Sequence, residues 1–332
     1  MVLSRALPFL LVASLCSCSD SQGAPTQPTL PVWPDAAADA PPDSNPGQDA
    51  AEEAWTPAPL RVVSWNVHDL FDNIAGNCDC AYEPLPPPTA NEYDQKIASV
   101  AGVLSKLDGD VLMLQEVENE GVLDKLASSS ALASSQYQYR HVLPGNDPRG
   151  INIAFMSRYP TTGAFSHKDD QFTREDNPSE VYRYTRDALE VHMQHRGKHL
   201  VFLGVHFKAK SNPDDPDKRL AEAQYTRKLA DNLLNSDPSC YVFVLGDFND
   251  TTGSPPFLAV QNGMNGPPYV DAAGFAPAAD QYTYIYSGQH QLIDHLFASS
   301  SAALRLDKST VAITHGSLPS DHAPVSATFQ VP

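Results

Sequence analysis

Several hydrophobic runs in this chain end on a group able to handle a proton, an anion or a cation. Asn66 follows Ser64-Trp65, Glu116 follows Leu112-Met113-Leu114-Gln115, and His206 follows Phe202-Leu203-Gly204-Val205. Asp247 and Asn249 close the run 242–246, Asp294 sits inside the run 291–297, and Asp321-His322 precedes a last apolar stretch. Buried strands deliver such groups to a sheet edge, where each needs a partner or a metal ion. Hard oxygen ligands without sulfur or a histidine cluster suit Mg²⁺, with Mn²⁺ or Ca²⁺ as substitutes, rather than zinc. A histidine beside a carboxylate can take a proton from water, because its pKa lies near neutrality and the acid fixes its tautomer. Phosphodiester hydrolysis uses such a set: a cation, an imidazole and amide donors share the charge that develops in the transition state.

Taken one at a time, these residues have plain structural readings. Asn66 is a strand-end hydrogen bonder, Glu116 a surface charge, the stretch 246–250 a turn held by its own Asp and Asn side chains, and Asp321-His322 a loop cap. Their co-occurrence in one chain is what points to a site. His192, His195, His199, His290, His295 and His315 read as structural, and His295 should face away from Asp294 because successive strand residues alternate. His68 reads as a solvated loop residue. Lys218, Arg219, Arg227 and Lys228 read as the solvated face of a helix.

The elements that must position these groups are legible as continuous apolar runs at 60–67, 110–115, 151–156, 188–193, 200–206, 241–246, 294–298 and 323–329. Most lack strict alternation, so they predict strands covered on both faces. Residues 93–104 place Ile97, Val100, Ala101 and Leu104 on one helical face, and residues 219–234 do the same with Leu220, Ala223, Leu229 and Leu233. Strands with intervening helices and no internal repeat predict a layered α/β domain. The polar loops 71–92 and 208–218 fall beside strand ends, where site residues converge.

The domain begins late. Residues 1–17 read as a secretory signal: Arg5, an apolar run from Ala6 to Leu15, then small residues, too short for a permanent membrane span. Leu15-Cys16-Ser17-Cys18 looks like a bacterial lipobox with Cys18 as the lipidated residue, which predicts an exported protein anchored to a membrane at its N-terminus. Residues 18–58 read as a disordered tether, with seven acids and no Lys or Arg between 19 and 57. Residues 59–332 remain for one domain with a substantial core. The net charge of −18 falls to −12 once the seven tether acids and Arg5 are set aside. That balance argues against a broad nucleic-acid footprint but leaves room for a few local phosphate contacts. Cys78, Cys80 and Cys240 could supply one disulfide in an oxidising compartment, in a pairing the sequence leaves open.

The motifs SWNV (64–67), QEVEN (115–119), RGINIAFMSRYP (149–160), GVHFK (204–208), GDFND (246–250), LIDHLF (292–297) and SDHAP (320–324) resemble, in order, those of the endonuclease/exonuclease/phosphatase superfamily. GVHFK and RGINIAFMSRYP are closest to its bacterial secreted nuclease-like branch. The resemblance covers residues 61–329 and implies a four-layer α/β/β/α sandwich, DNase I-like, with its active site at one rim. It implies a phosphodiester hydrolase, a nuclease ahead of an enzyme for lipid head groups or small phosphate esters, with nucleic acid as substrate and no protein partner. Carried over by position, Glu116 is the main metal ligand, with Asn66 and Asp321 on the metal side. Asp247 and Asn249 orient the nucleophile and contact the phosphate, His322 is the general base, and Asp294 orients it. His206 stabilises the phosphate or leaving group, while Arg186 and Lys208 are phosphate contacts. Asn152 stands where secreted nuclease-like members usually carry an acid, which implies a weaker charge partner for His206.

Overall fold

Helix α1 (Ala90–Leu107) starts where Thr89 and Glu92 form a reciprocal capping box and stops at Asp108, whose backbone is left-handed. Its buried side carries Ile97, Val100, Ala101 and Leu104, as the periodicity predicts. The computed structural model describes residues 57–77, 81, 86–211, 214–263 and 266–332. The signal, Cys18, nearly all of the tether, Cys78 and Cys80 lie outside the described residues. Cys240 is a buried free thiol. Among the described residues, no helix is long and apolar enough to cross a membrane.

In chain order, β1 (Ala58–Leu70) precedes α1, and β2 (Val111–Val117), α2 (Glu120–Ala127), β3 (Tyr139–Val142), β4 (Asn152–Ser157) and β5 (Thr161–Ser166) follow it. A short pair, β6 (Phe172–Thr173) and β7 (Val181–Tyr182), leads to β8 (Ala188–His195), β9 (Lys198–His206), α3 (Pro216–Ser236), β10 (Tyr241–Asp247) and α4 (Pro255–Asn262). The chain closes with β11 (Val270–Asp271), the hairpin β12 (Tyr284–Tyr286) and β13 (Gln289–Gln291), then β14 (Asp294–Ala298), α5 (Ser300–Ala303), β15 (Leu306–Ile313) and β16 (Val325–Val331). Two six-stranded sheets result, ordered β15-β16-β1-β2-β4-β3 and β11-β14-β10-β9-β8-β5.

The two sheets pack through a shared core containing Val62, Met113, Phe155 and Phe329 of the first and Leu200, Phe202 and Phe243 of the second. Phe243 meets Phe329 edge-on at 4.9 Å between ring centres. Helices α1 and α2 cover the outer face of the first sheet, and α3 and α4 that of the second. The architecture is the α/β/β/α sandwich expected, and the strands are apolar on both sides for that reason.

Helix α3 departs from its apolar reading. Its buried side carries Arg219, Ala221, Glu222, Ala223, Thr226, Arg227 and Ala230, while Leu220, Leu229 and Leu233 are only partly covered. Arg219 and Arg227 are therefore not on a solvated face. Arg227 donates to the carbonyls of Val260, Gln261 and Pro267 and to Asp231. Arg219 pairs with Asp250 and Asp214, and Glu222 accepts from the backbone N–H groups of Thr185 and Lys208. Satisfied in this way, buried charges on a helix can staple the loops around the site, which a hydrophobic count does not register.

Gly204 of β9 faces Met113 across the sheet interface, and a Cβ there would collide with its sulfur. Gly204→Ala should cost about 1–3 kcal/mol by overpacking. A urea midpoint unchanged from wild type would show that the sheets are not so closely apposed.

Candidate active site

Strand register builds one side of the site. In β10, Asp247 lies opposite His206 of parallel β9 and opposite Asp294 of antiparallel β14. Residues directly opposed on a sheet project to the same face, so His206, Asp247 and Asp294 form a row at the rim. Gly246 permits this crowding: its φ is 144°, and a Cβ would strike the Val205 carbonyl. His295, one residue on, points the other way to Asp271 at 2.8 Å, as alternation requires.

His322 completes the row from the loop before β16. Its Nδ1 shares a 2.7 Å hydrogen bond with Asp294 Oδ2, and its Nε2 lies 3.8 Å from Asp247 Oδ2. The Trp65 indole donates to the His322 carbonyl, the His322 N–H donates to Ser320 Oγ, and Ser320 donates to the Asn66 carbonyl. The Tyr284 ring lies against the imidazole at 4.9 Å. Burial by itself would lower the pKa of His322, but the charges of Asp294 and Asp247 outweigh it and push it up to about 10. Burial and the neighbouring Asp294 push Asp247 up to about 7. His206, fully enclosed and near Arg186, His322 and Arg149, is held well below the usual histidine range and is neutral.

The first sheet supplies the opposite wall. Asn66, at a bulge where β1 and β2 shift register, donates to Glu116 Oε1 at 3.2 Å and to Asp247 Oδ2 at 3.1 Å, tying the two walls together. Glu116 has a left-handed backbone, φ 67°, as do His68, Asp69 and Asn249, with φ of 55°, 47° and 51°. Such strain clusters where surrounding structure dictates side-chain direction. Glu116 Oε2 accepts from the Asp69 N–H, and burial together with the Glu116 charge raises the Asp69 pKa. Asp321 is paired with His68 at 2.6 Å. His68 is thus a half-exposed member of the cleft rather than a free loop residue. Asp69 went unread in the sequence; its one signal was its place directly after the SWNVH stretch.

Glu116, Asp69 and Asp321 face a cleft of about 910 Å³ together with His206, Asp247 and His322. Three carboxylates gathered on one wall of the cleft fit a hard divalent cation, which their oxygens could hold. Asp247, Asp294 and His322 also bring ligand atoms within 4.8 Å, but a hydrogen bond already joins His322 to Asp294, so this trio is better suited to holding a proton. Asn249 donates from Nδ2 to the Phe207 carbonyl and from its backbone to Asp247 Oδ1 at 2.7 Å, fixing that carboxylate. Arg186 lines the cleft but is buried, with Nε on Asp147 and Nη1 on the Phe207 carbonyl. Lys208 lines it too, its Nζ turned to the Ala209 carbonyl and Ser211. Asn152 engages its amide with the Gly145 N–H and the Glu118 and Gly150 carbonyls, closing the loop that carries Asp147 and Arg149.

The chain belongs to the endonuclease/exonuclease/phosphatase family, a family of phosphoester hydrolases, whose profile matches residues 61–318. A comparison with curated proteins found no match. Among solved structures, the fold is similar to an endonuclease/exonuclease/phosphatase family protein from Bacteroides thetaiotaomicron, with 16% identity, 84% of this chain and 100% of that chain covered, and a TM-score of 0.55. It is also similar to the human Nocturnin catalytic domain with bound sulfate anion, at 18% identity, 82% and 94% coverage and a TM-score of 0.56. Truncated TDP2 from Caenorhabditis elegans gives 19% identity, 82% and 98% coverage and a TM-score of 0.53.

Removing the Asp294 charge takes away a stabiliser of the His322 imidazolium. Asp294→Asn should therefore move the acidic limb of the pH–rate profile to lower pH while reducing the plateau rate. A limb that stays in place would detach Asp294 from the titration of His322.

Proposed function

We propose that this protein is a divalent-cation-dependent phosphodiesterase acting on DNA or RNA, exported and tethered to a bacterial membrane through Cys18. The observation that carries the chemistry is the row Asp294–His322–Asp247, with its carboxylate-bonded imidazole, set across a cleft from Glu116. In its deprotonated form, with Nδ1–H held by Asp294, His322 turns the Nε2 lone pair to the space beside Asp247. A water bound there loses its proton to Nε2 as it attacks phosphorus. Asp247, locked by the Asn249 N–H and the Asn66 amide, orients that water. His206, kept neutral, offers an imidazole to the phosphate or the departing oxygen. Glu116, with Asp69 and Asp321 alongside, would hold a divalent cation, which would supply charge neutralisation for the phosphate oxygens.

The nucleic-acid assignment is supported by the surroundings of the cleft. Arg149, Arg186, Lys208 and Lys210 line the cleft and offer phosphate contacts on a domain whose balance is −12. Tyr284 and Tyr286 of the β12–β13 hairpin line the same cleft, and Tyr286 is 60% exposed, a surface on which a base can stack. Ile285 at the same tip is also exposed and would suit a lipid head-group enzyme at a bilayer surface. A panel of plasmid DNA, single-stranded RNA, sphingomyelin, phosphoinositides and a generic diester decides between the two. Cleavage of nucleic acid with Mg²⁺ or Mn²⁺ and its loss in chelator are expected, and intact polynucleotide beside hydrolysed lipid would transfer the assignment to head groups.

His322→Ala should lower kcat by roughly 10²–10⁴-fold with an unchanged circular dichroism spectrum; full turnover in that variant would remove His322 as the base. Cys18→Ser should release the protein from the membrane fraction into the soluble fraction, and continued membrane retention would dismiss lipidation at this residue.

A further inference from the structure

A second set of titratable groups occupies the outer face of the second sheet, at the other end of the strands that carry the active site. His199 lies seven residues before His206 in β9, about 23 Å along the strand. The parallel register that pairs Leu200 with Tyr241 places Cys240 beside His199. Asp237 caps the C-terminus of α3 and is the third residue before Cys240, in a turn closed by the Cys240 N–H on the Asp237 carbonyl. Ligand atoms of His199, Asp237 and Cys240 all lie within 4.8 Å of one another.

The hydrogen bonds around His199 are one proton short when both imidazoles are neutral. Glu190 Oε1 meets His192 Nε2 at 2.6 Å, His192 Nδ1 meets His199 Nε2 at 2.9 Å, and His199 Nδ1 meets Asp237 Oδ2 at 2.9 Å. These three contacts need three protons, whereas two neutral imidazoles carry two between them. With His192 donating to Glu190 and His199 donating to His192, the Nδ1 lone pair of His199 points at a carboxylate oxygen. Only a further proton or a metal ion between them makes that contact attractive. The supporting hydrogen bonds are already in place: Asp237 Oδ1 is held by the Ser239 N–H and hydroxyl, leaving Oδ2 for an ion, and His192 with Glu190 fixes the His199 tautomer.

We propose that His199, Asp237 and Cys240 form a second metal site, for a soft divalent ion of the zinc class. One imidazole, one carboxylate and one thiolate match the tetrahedral preferences of Zn²⁺, with a fourth position left for water, and contrast with the all-oxygen set of the catalytic cleft. The ion reaches the site past Asp237, whose side chain is 37% exposed, while Cys240 closes the buried side. Burial holds the Cys240 thiol protonated, up to about 12, until an ion takes the proton's place. Binding therefore releases the thiol proton and tightens as pH rises. A tie between α3, β9 and β10 at this end would stiffen the sheet whose opposite end holds His206 and Asp247.

The test is a Co²⁺ titration of the full chain carrying Cys16→Ser, Cys18→Ser, Cys78→Ser and Cys80→Ser, which leaves Cys240 as its sole thiol, with Glu116→Gln to weaken the catalytic cation site. One equivalent of Co²⁺ should produce a thiolate-to-cobalt charge-transfer band that Zn²⁺ abolishes. Asp237→Asn and His199→Gln, both at partly exposed positions, should each weaken the affinity by roughly tenfold or more. No thiolate band at excess Co²⁺, or a band equally tight in both of those variants, would overturn the proposal.

Discussion

Register between β9, β10 and β14 decides where the chemistry sits. Asp247 is placed opposite both His206 and Asp294, and a slip of one residue in either pairing would turn a member of the row to the other face of the sheet. The apolar core that fixes this register is the one that packs the two sheets together, so fold stability and site geometry rest on the same contacts. Asn66 then couples the sheets at the rim, because a single amide donates to Glu116 on one wall and Asp247 on the other.

The cost of this arrangement is electrostatic. Asp247, Asp294, Glu116, Asp69 and Asp321 converge on one cleft, and burial raises the energy of each unpaired charge. The protein answers locally. A proton on His322 offsets the two rim carboxylates, Arg186 and Arg149 surround Asp147 beside them, and the Glu116–Asp69 wall is ready for a divalent cation. Left-handed backbone at His68, Asp69, Glu116 and Asn249 is the conformational counterpart, since regular strand geometry would not aim all these side chains inward. Buried ion pairs on α3 serve the same end from outside, with Arg219 and Glu222 gripping the loops that carry Asp250 and Lys208.

Much of this was legible in the residues. Strand-ending acids, amides and imidazoles identified the rim, and continuous rather than alternating apolar runs identified strands covered on both sides. His322 and Asp294 could be paired by type and motif, and the outward turn of His295 followed from alternation alone. Helix α3 was legible only in part: its leucines suggested the inner side, whereas Arg219, Glu222 and Arg227 occupy it. A buried charge is recognised by its partners, and apart from Asp214 and Asp231 those partners come from residues 11 to 40 positions away.

What the sequence determined by itself is therefore the local vocabulary: the central strands and the two long helices, which strand ends carry chemical groups, and the family to which their order belongs. These depend on short-range periodicity and on residue type. Tertiary structure alone decided that Asp69 and His68 join the cleft, that the Asn152 amide closes a loop, and that Arg186 is buried among carbonyl and carboxylate partners. It alone set His199, Asp237 and Cys240 together. Each of those outcomes depends on a distance across strands or on a backbone angle, and neither quantity exists until the sheets have paired and packed.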